Sequence, residues 1–331
     1  MIRKLLAAVA MTALTAGVSL AGEVKPAVVY DIGGKYDKGF NESAYWGAEK
    51  FKKDTGTAYQ EFEIQNDSQR EQAMRKFAER GFSPIIVIGF SQAEALDKVA
   101  AEFPNTHFAI VDMVVDKPNV ASIVFKEHEG SYLVGVLAAL ASKTGKVGFV
   151  GGMDIPLIRR FACGYVGGFK SVKRDGEVFQ NMTGTTGAAW NDPVKGGELA
   201  RSQFDRGADI VYAAAGATGL GVLQAAADAD KLAIGVDANQ NGLHPGKVLT
   251  SMLKHVDVAT YNVFKEEQEG TFKPGVQVLG LAEGGVDWAL DDNNKGLITP
   301  EMKAAVDKAA ADIKAGTVQV HDYMADSACP Y

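Results

Sequence analysis

The run Pro84–Ile88 is apolar at every position, and Pro26–Ile32 is apolar except at Asp31. A strand with one wet face alternates polar and apolar residues. A strand that does not alternate must be covered on both sides, as parallel strands flanked by helices are. Such segments recur down the chain, each followed by helical spacing. Tyr59–Ile64, Thr106–Val111 and Val120–Phe125 read as further strands, and Glu42–Lys53, Ser68–Arg80 and Gln92–Glu102 as helices. After the helix Glu129–Ala141 a second series begins at Lys146–Val150. It runs through Ile158–Lys173, Glu177–Asn181, Val194–Asp205, Ile210–Ala213, Gly219–Ala229, Leu232–Val236, Val248–Met252 and Val256–Gly270. Two βα series predict two parallel-sheet lobes, and the late elements Gln277–Leu281 and Pro300–Ala315 must join one or the other. No Pro/Ser-rich linker separates the halves, as suits lobes that exchange chain segments.

A length of 331 residues with 47% hydrophobic side chains supplies two real cores. The formal net charge of −7 and the lack of a basic patch argue against nucleic acid as a partner. At the front, Arg3 and Lys4 precede an apolar, small-residue run to Leu20 that ends in Ser19-Leu20-Ala21. This pattern predicts a cleaved signal peptide over residues 1–21 and an exported, periplasmic product. No cysteine lies near the cleavage point, so neither a lipid nor another direct membrane anchor is expected. The two cysteines, Cys163 and Cys329, pair only if the carboxyl-terminal tail returns to the segment around Cys163.

Open parallel sheets bind ligands beyond the carboxyl ends of their strands. Three strand ends carry aspartates: Asp31, Asp112 and Asp237. Each has a plainer reading as a helix cap, yet together they suit a polyhydroxy or amine-bearing ligand. The loop Gly33–Ser43 offers turn formers plus Tyr36, Phe40 and Asn41. An aromatic beside an amide suits a planar heterocycle, although Phe40 packing inward and Asn41 capping is an equal alternative. Trp190-Asn191-Asp192-Pro193 is a second aromatic loop, and the glycine-rich turn Gly216–Gly221 allows close approach to a ligand. Thr144-Gly145-Lys146-Val147 is not a P-loop, because Leu140 replaces the first glycine and Val147 the Mg²⁺-binding hydroxyl. The five histidines show no metal-ligand spacing and no G-x-S-x-G elbow occurs. Binding is favoured over catalysis, with no cofactor or metal implied.

Several motifs together resemble the basic membrane protein (BMP), or purine-nucleoside-receptor, family of ABC-transporter substrate-binding proteins. They are Asp31-x-Gly33-Gly34-x-x-Asp37-Lys38-Gly39-Phe40-Asn41, Glu127-x-x-Gly130-Ser131-Tyr132-x-x-Gly135, Lys146–Gly152, Gly235-Val236-Asp237 and Leu249-Thr250-Ser251-x-x-Lys254. The resemblance spans essentially the whole chain after the leader. It implies an α/β, type I periplasmic-binding-protein fold: two Rossmann-like lobes with parallel-sheet cores joined by three hinge crossovers. The lobes would comprise residues 22–126 plus about 255–284, and about 127–254 plus about 285–331. It further implies a purine base between Tyr36 and Trp190 with Asn41 reading its edge, and ribose hydroxyls held by Asp112, Asp237 and Lys254. Asp31, Asp37, Phe40 and Gly219 complete the implied ligand-binding set. The implied partners are a purine nucleoside and the membrane permease of an ABC importer.

Three departures stand out. Many relatives are lipoproteins, whereas this chain lacks the lipid-accepting cysteine. Gly39 stands where a serine is common, and the Tyr36/Trp190 pair leaves adenosine, guanosine and inosine unresolved. The rival readings are a same-fold receptor for a sugar or other small metabolite, a nucleoside-sensing module, and an exported nucleoside-processing enzyme.

Overall fold

Burial on both faces is what the unbroken runs achieve. A computed structural model describes residues 24–331; the predicted leader lies outside the described residues. The first sheet contains β1 (Ala27–Tyr30), β2 (Gln60–Glu63), β3 (Ile85–Ile88), β4 (Phe108–Val111) and β5 (Val120–Phe125). Helices α1 (Phe40–Thr55), α2 (Arg70–Glu79) and α3 (Ala93–Glu102) connect them. In β1, Val28 and Tyr30 pack with Phe51 and Phe264 on one face, while Ala27 and Val29 pack with Met74, Phe77 and Leu96 on the other. Period-two alternation therefore divides one apolar run between two helix layers.

The second sheet contains β6 (Lys146–Met153), β7 (Glu177–Gly184), β8 (Ile210–Ala214), β9 (Leu232–Asp237) and β10 (Val248–Lys254). It is flanked by α4 (Glu127–Ala141), α5 (Pro156–Val172), α6 (Pro193–Asp205) and α7 (Thr218–Asp228). Helices α4 and α5 lie backbone to backbone. A Cβ on Gly135 would sit 2.3 Å from the Tyr165 carbonyl oxygen, so only glycine permits that approach.

The chain then recrosses. Helix α8 (Val256–Glu269) returns to pack on α1, and β11 (Gly275–Leu279) joins the first sheet parallel to β5. Strand β12 (Val286–Trp288) joins the second sheet antiparallel to β10, and α9 (Pro300–Lys314) packs on α4. A last short helix, α10 (Tyr323–Asp326), lies against α5. The crossovers are thus β5 to α4, β10 to α8, and β11 to β12. The late strand lies two residues earlier than its predicted span, and β12, three residues long, is too short to leave a periodic signal. The tail does return: Cys163 and Cys329 form a disulfide, with Cα atoms 5.6 Å apart.

The strand orders are β2-β1-β3-β4-β5-β11 and β7-β6-β8-β9-β10-β12. In each, the direction of winding reverses beside the first strand, between β1 and β3 and between β6 and β8. Such a switch point opens a crevice where consecutive loops diverge. The two crevices face one another.

Candidate functional site

Between the lobes lies a cavity enclosing about 650 Å³ of non-protein space, its open mouth included. The lobes touch across its rim, where Gln240 Nε2 donates to the Lys38 carbonyl at 2.9 Å.

From the first lobe, β1 delivers the loop that carried most sequence candidates. Asp37 lies just ahead of α1, whose N-cap residue is Gly39, and holds the helix start from outside. Its carboxylate accepts from the backbone amides of Gly39, Asn41 and Glu42 at 2.9–3.1 Å and from Asn41 Nδ2 at 3.1 Å. Asn41 is locked in turn, since its Oδ1 accepts from the Asp31 amide at 3.0 Å. That bond orients the side-chain amide and leaves one acceptor lone pair and one weakly used N–H for the cavity. Asp31 is matched by Arg70 Nη1 at 2.6 Å and by the Ser91 hydroxyl. All three residues line the cavity, yet much of their hydrogen-bonding capacity holds the loop together.

Tyr36 is not in the cavity. Gly33 and Gly34 take φ values of 119° and 82°, which turn the chain outward. The Lys35 amide then bonds Glu63 of β2 at 3.0 Å, and Lys35 Nζ pairs with Glu61. Tyr36 is left 60% exposed, edge-on to Tyr45. The aromatic this loop gives the cavity is Phe40, at the start of α1. Gly219 is also elsewhere: its α-carbon faces Ala213, where a Cβ would lie 3.4 Å away, so it packs α7 onto β8. Gly216 and Ala217 line the cavity instead.

Trp190 ends a short helical turn, Gly187–Trp190, of the second lobe. Thr218 pins this loop, accepting from the Asp192 amide at 2.7 Å and donating to the Ala189 carbonyl at 2.8 Å. The indole rests on Gly152, where a Cβ would come within 2.1 Å of Cζ3. Phe90, from the loop after β3, meets the indole across the cleft with ring centroids 6.4 Å apart at 65°. Sequence reasoning missed Phe90 because its search of strand ends looked for carboxylates. The available signal was Gly89-Phe90 directly after the apolar β3 run.

Asp112 follows β4 and Asp237 is the last residue of β9, both in left-handed backbone, with φ of 73° and 63°. Lys254, 1% exposed, lies 2.6 and 2.7 Å from the two Asp112 oxygens and 3.1 Å from Glu127 Oε1. Phe40, Phe125 and Phe161 surround its ammonium at 5.1–5.6 Å, within cation–π range. Burial works against the Lys254 charge, but Asp112, Glu127 and Asp237 outweigh it and hold its pKa above the ordinary lysine value. Burial pushes Asp112 up to about 6, with Lys254 opposing. Asp237 is pushed up to about 7, again by burial, and the neighbouring carboxylates Asp112, Asp37 and Glu127 add to the rise. Among the described residues no protein hydrogen bond reaches the Asp237 carboxylate. It faces the cavity with its acceptors free.

A cleft between two doubly wound lobes, with aromatic walls and a lysine held among carboxylates, is the site of a two-lobed solute-binding protein. Residues 24–322 match the family described as ABC transporter substrate-binding protein PnrA-like (Bmp), and the chain belongs to that family. It is 36% identical over 321 residues to the ABC transporter nucleoside-binding protein BmpA of Lactococcus lactis, covering 90% of this chain and 89% of that one. It is 36% identical over 293 residues to an uncharacterized lipoprotein of Pyrococcus furiosus, covering 83% and 73% of the two chains. Among solved structures, an ABC transporter solute-binding protein from Aeropyrum pernix superposes with a TM-score of 0.81 at 28% identity, covering 90% and 93%. No helix of the described residues is long and apolar enough to cross a membrane.

Proposed function

We propose that this protein captures a purine nucleoside between its lobes, outside the cytoplasmic membrane, and delivers it to the permease of an ABC importer without chemical turnover. The observation that carries this reading is the meeting of two kinds of surface in one cavity. Phe40 and Trp190 come from opposite lobes, and Asp112, Asp237 and Lys254 form a polar end. A purine presents large π-faces to the aromatics. The ribose presents hydroxyls that donate to carboxylates in charge-assisted bonds. Lys254 has three N–H donors; it donates to Asp112 Oδ2 and lies in ion-pair contact with Glu127, which leaves donor capacity for a sugar oxygen. The Lactococcus relative, named as nucleoside-binding, points to the same ligand class.

Contacts made from both lobes exist only when the lobes are together, so a ligand that makes them shifts the population toward closure. The permease then reads the relative position of the two outer rims. The Pyrococcus relative is named a lipoprotein. In this chain both cysteines are joined to each other, and the reading adopted is a protein exported without a lipid anchor.

The test is calorimetric titration of protein stripped of carried-over ligand by unfolding with the disulfide intact and refolding. The ligands are adenosine, guanosine, inosine and free ribose. One-to-one nucleoside binding at micromolar affinity or tighter, at least about 8 kcal/mol, with ribose silent, is the expected result. Ribose binding as tightly as any nucleoside would turn the assignment to a sugar. Folded protein that binds no nucleoside by calorimetry or by thermal shift overturns it.

A further inference from the structure

We propose that the carboxyl-terminal strap is part of the ligand-binding apparatus, with Asp322, Arg160 and Glu127 acting as positioning residues for Lys254. The geometry is a continuous relay of charged groups running from the back of the hinge to the cavity. Lys254 is the last residue of β10, just before the second crossover, and Glu127 is the first residue of α4, just after the first. Their contact therefore fastens two of the three crossovers to each other. Glu127 is fully buried and divided between two cations: Oε1 faces Lys254 at 3.1 Å and Oε2 accepts from Arg160 Nη1 at 3.0 Å. A carboxylate bridged in this way cannot rotate without releasing one of them.

Arg160 is held just as closely. Nη1 also donates to the Phe125 carbonyl at 2.8 Å, in the first crossover itself. Nε and Nη2 form a bidentate pair with the two Asp322 oxygens at 2.7 and 2.8 Å. The planar fork transmits orientation as well as charge, so Asp322 sets the plane in which Arg160 meets Glu127. Asp322 belongs to the strap that follows α9. The strap is fastened to α5 by Cys163–Cys329, and Cys163 lies three residues after Arg160 on that helix. Beyond the disulfide, the Tyr331 ring covers Gly167, and its hydroxyl accepts from the His321 amide at 2.9 Å. Without Asp322, Arg160 would draw Glu127 toward itself, and Lys254 would lean further onto Asp112. One ligand acceptor and one ligand donor would be lost together.

The side chain of Asp322 is 33% exposed and makes no contact with the cavity, so its isosteric replacement leaves the core intact. The experiment compares the full chain with Asp322→Asn, Asp322→Glu and a Cys163→Ser/Cys329→Ser double variant. The first readout needs no ligand: the Nζ resonance of Lys254 in ¹⁵N-lysine-labelled protein, identified by its disappearance in Lys254→Met. The second is affinity for whichever of adenosine, guanosine and inosine binds the unmodified protein most tightly. Asp322→Asn is expected to move the Lys254 resonance and weaken binding roughly 3- to 30-fold, inside the range of coupling found within one charged network. Asp322→Glu should restore both in part, and loss of the disulfide should move both in the same direction as Asp322→Asn. The affinity arm rests on the nucleoside reading; the resonance arm does not, so failure of that reading is recognised separately. A Lys254 resonance unmoved in folded Asp322→Asn overturns the relay whether or not a nucleoside binds. A moved resonance with unchanged affinity overturns it equally.

Discussion

Replacing Gly152 by alanine adds one methyl group, and its neighbours specify what must move. The new Cβ would lie 2.1, 2.4 and 2.7 Å from Cζ3, Cε3 and Cη2 of Trp190. Carbon atoms settle at roughly 3.5–4.0 Å, so the indole must retreat by about 1.5 Å. Gly152 supports the ring from the side away from the cavity, which Trp190 lines and Gly152 does not. The direction of least resistance is into the cleft. In a filled core such overpacking costs about 1–3 kcal/mol. Here the open cavity absorbs most of the movement, so unfolding stability should fall by less than about 1 kcal/mol. Affinity takes the loss instead, because a ring advanced by nearly half a stacking distance occupies the space meant for a base. Base–aromatic stacking is worth about 1–3 kcal/mol, so nucleoside binding should weaken roughly 10- to 100-fold. Calorimetry for affinity and chemical denaturation of ligand-free protein separate the two quantities. An unchanged affinity in folded Gly152→Ala would refute the reasoning, since Trp190 would then have no part in holding the ligand. A large stability loss with intact affinity would refute the claim that the ring yields toward the cavity.

Other outcomes follow from the placement of Asp237 and of Tyr36. A carboxyl group raised to about 7 from its ordinary 3.8 favours the folded state below its unfolded pKa and loses that contribution as pH rises through 7. Asp237→Asn should therefore flatten the fall in ligand-free stability between pH 4 and 8, as seen in denaturation at each pH. The same substitution should weaken nucleoside binding roughly 10- to 100-fold at pH 8. In the unmodified protein affinity should rise from pH 6 to 8, as Asp237 becomes the carboxylate that a ribose hydroxyl can donate to; a flat profile would exclude that contact. Tyr36→Ala should change affinity by less than about threefold, because surface substitutions away from a site shift free energies by roughly 0.5 kcal/mol. A loss beyond tenfold would show that this loop reorganises around the ligand.

What could be read from the chain alone was whatever burial writes into neighbouring residues. Strands covered on both faces must be apolar throughout, so the βα rhythm and the two sheets were legible, and so was the placing of Asp31, Asp112 and Asp237 at strand ends. The BMP motifs carried Asn41, Phe40 and Lys254 toward the same cavity. Tertiary structure alone decided the directions and pairings. Tyr36 and Phe40 are four residues apart in one loop, and which of them enters the cavity depends on two left-handed glycines and on Glu63, 28 residues beyond Lys35. Asp37 lines the cavity, and only the fold shows that its carboxylate also accepts from the amides at the start of α1. The pairing of Cys163 with Cys329 across 166 residues and the relay from Asp322 to Lys254 have no local signature. Local composition records whether a residue is buried. Which distant residue lies beside it is settled only when the chain has crossed the hinge three times.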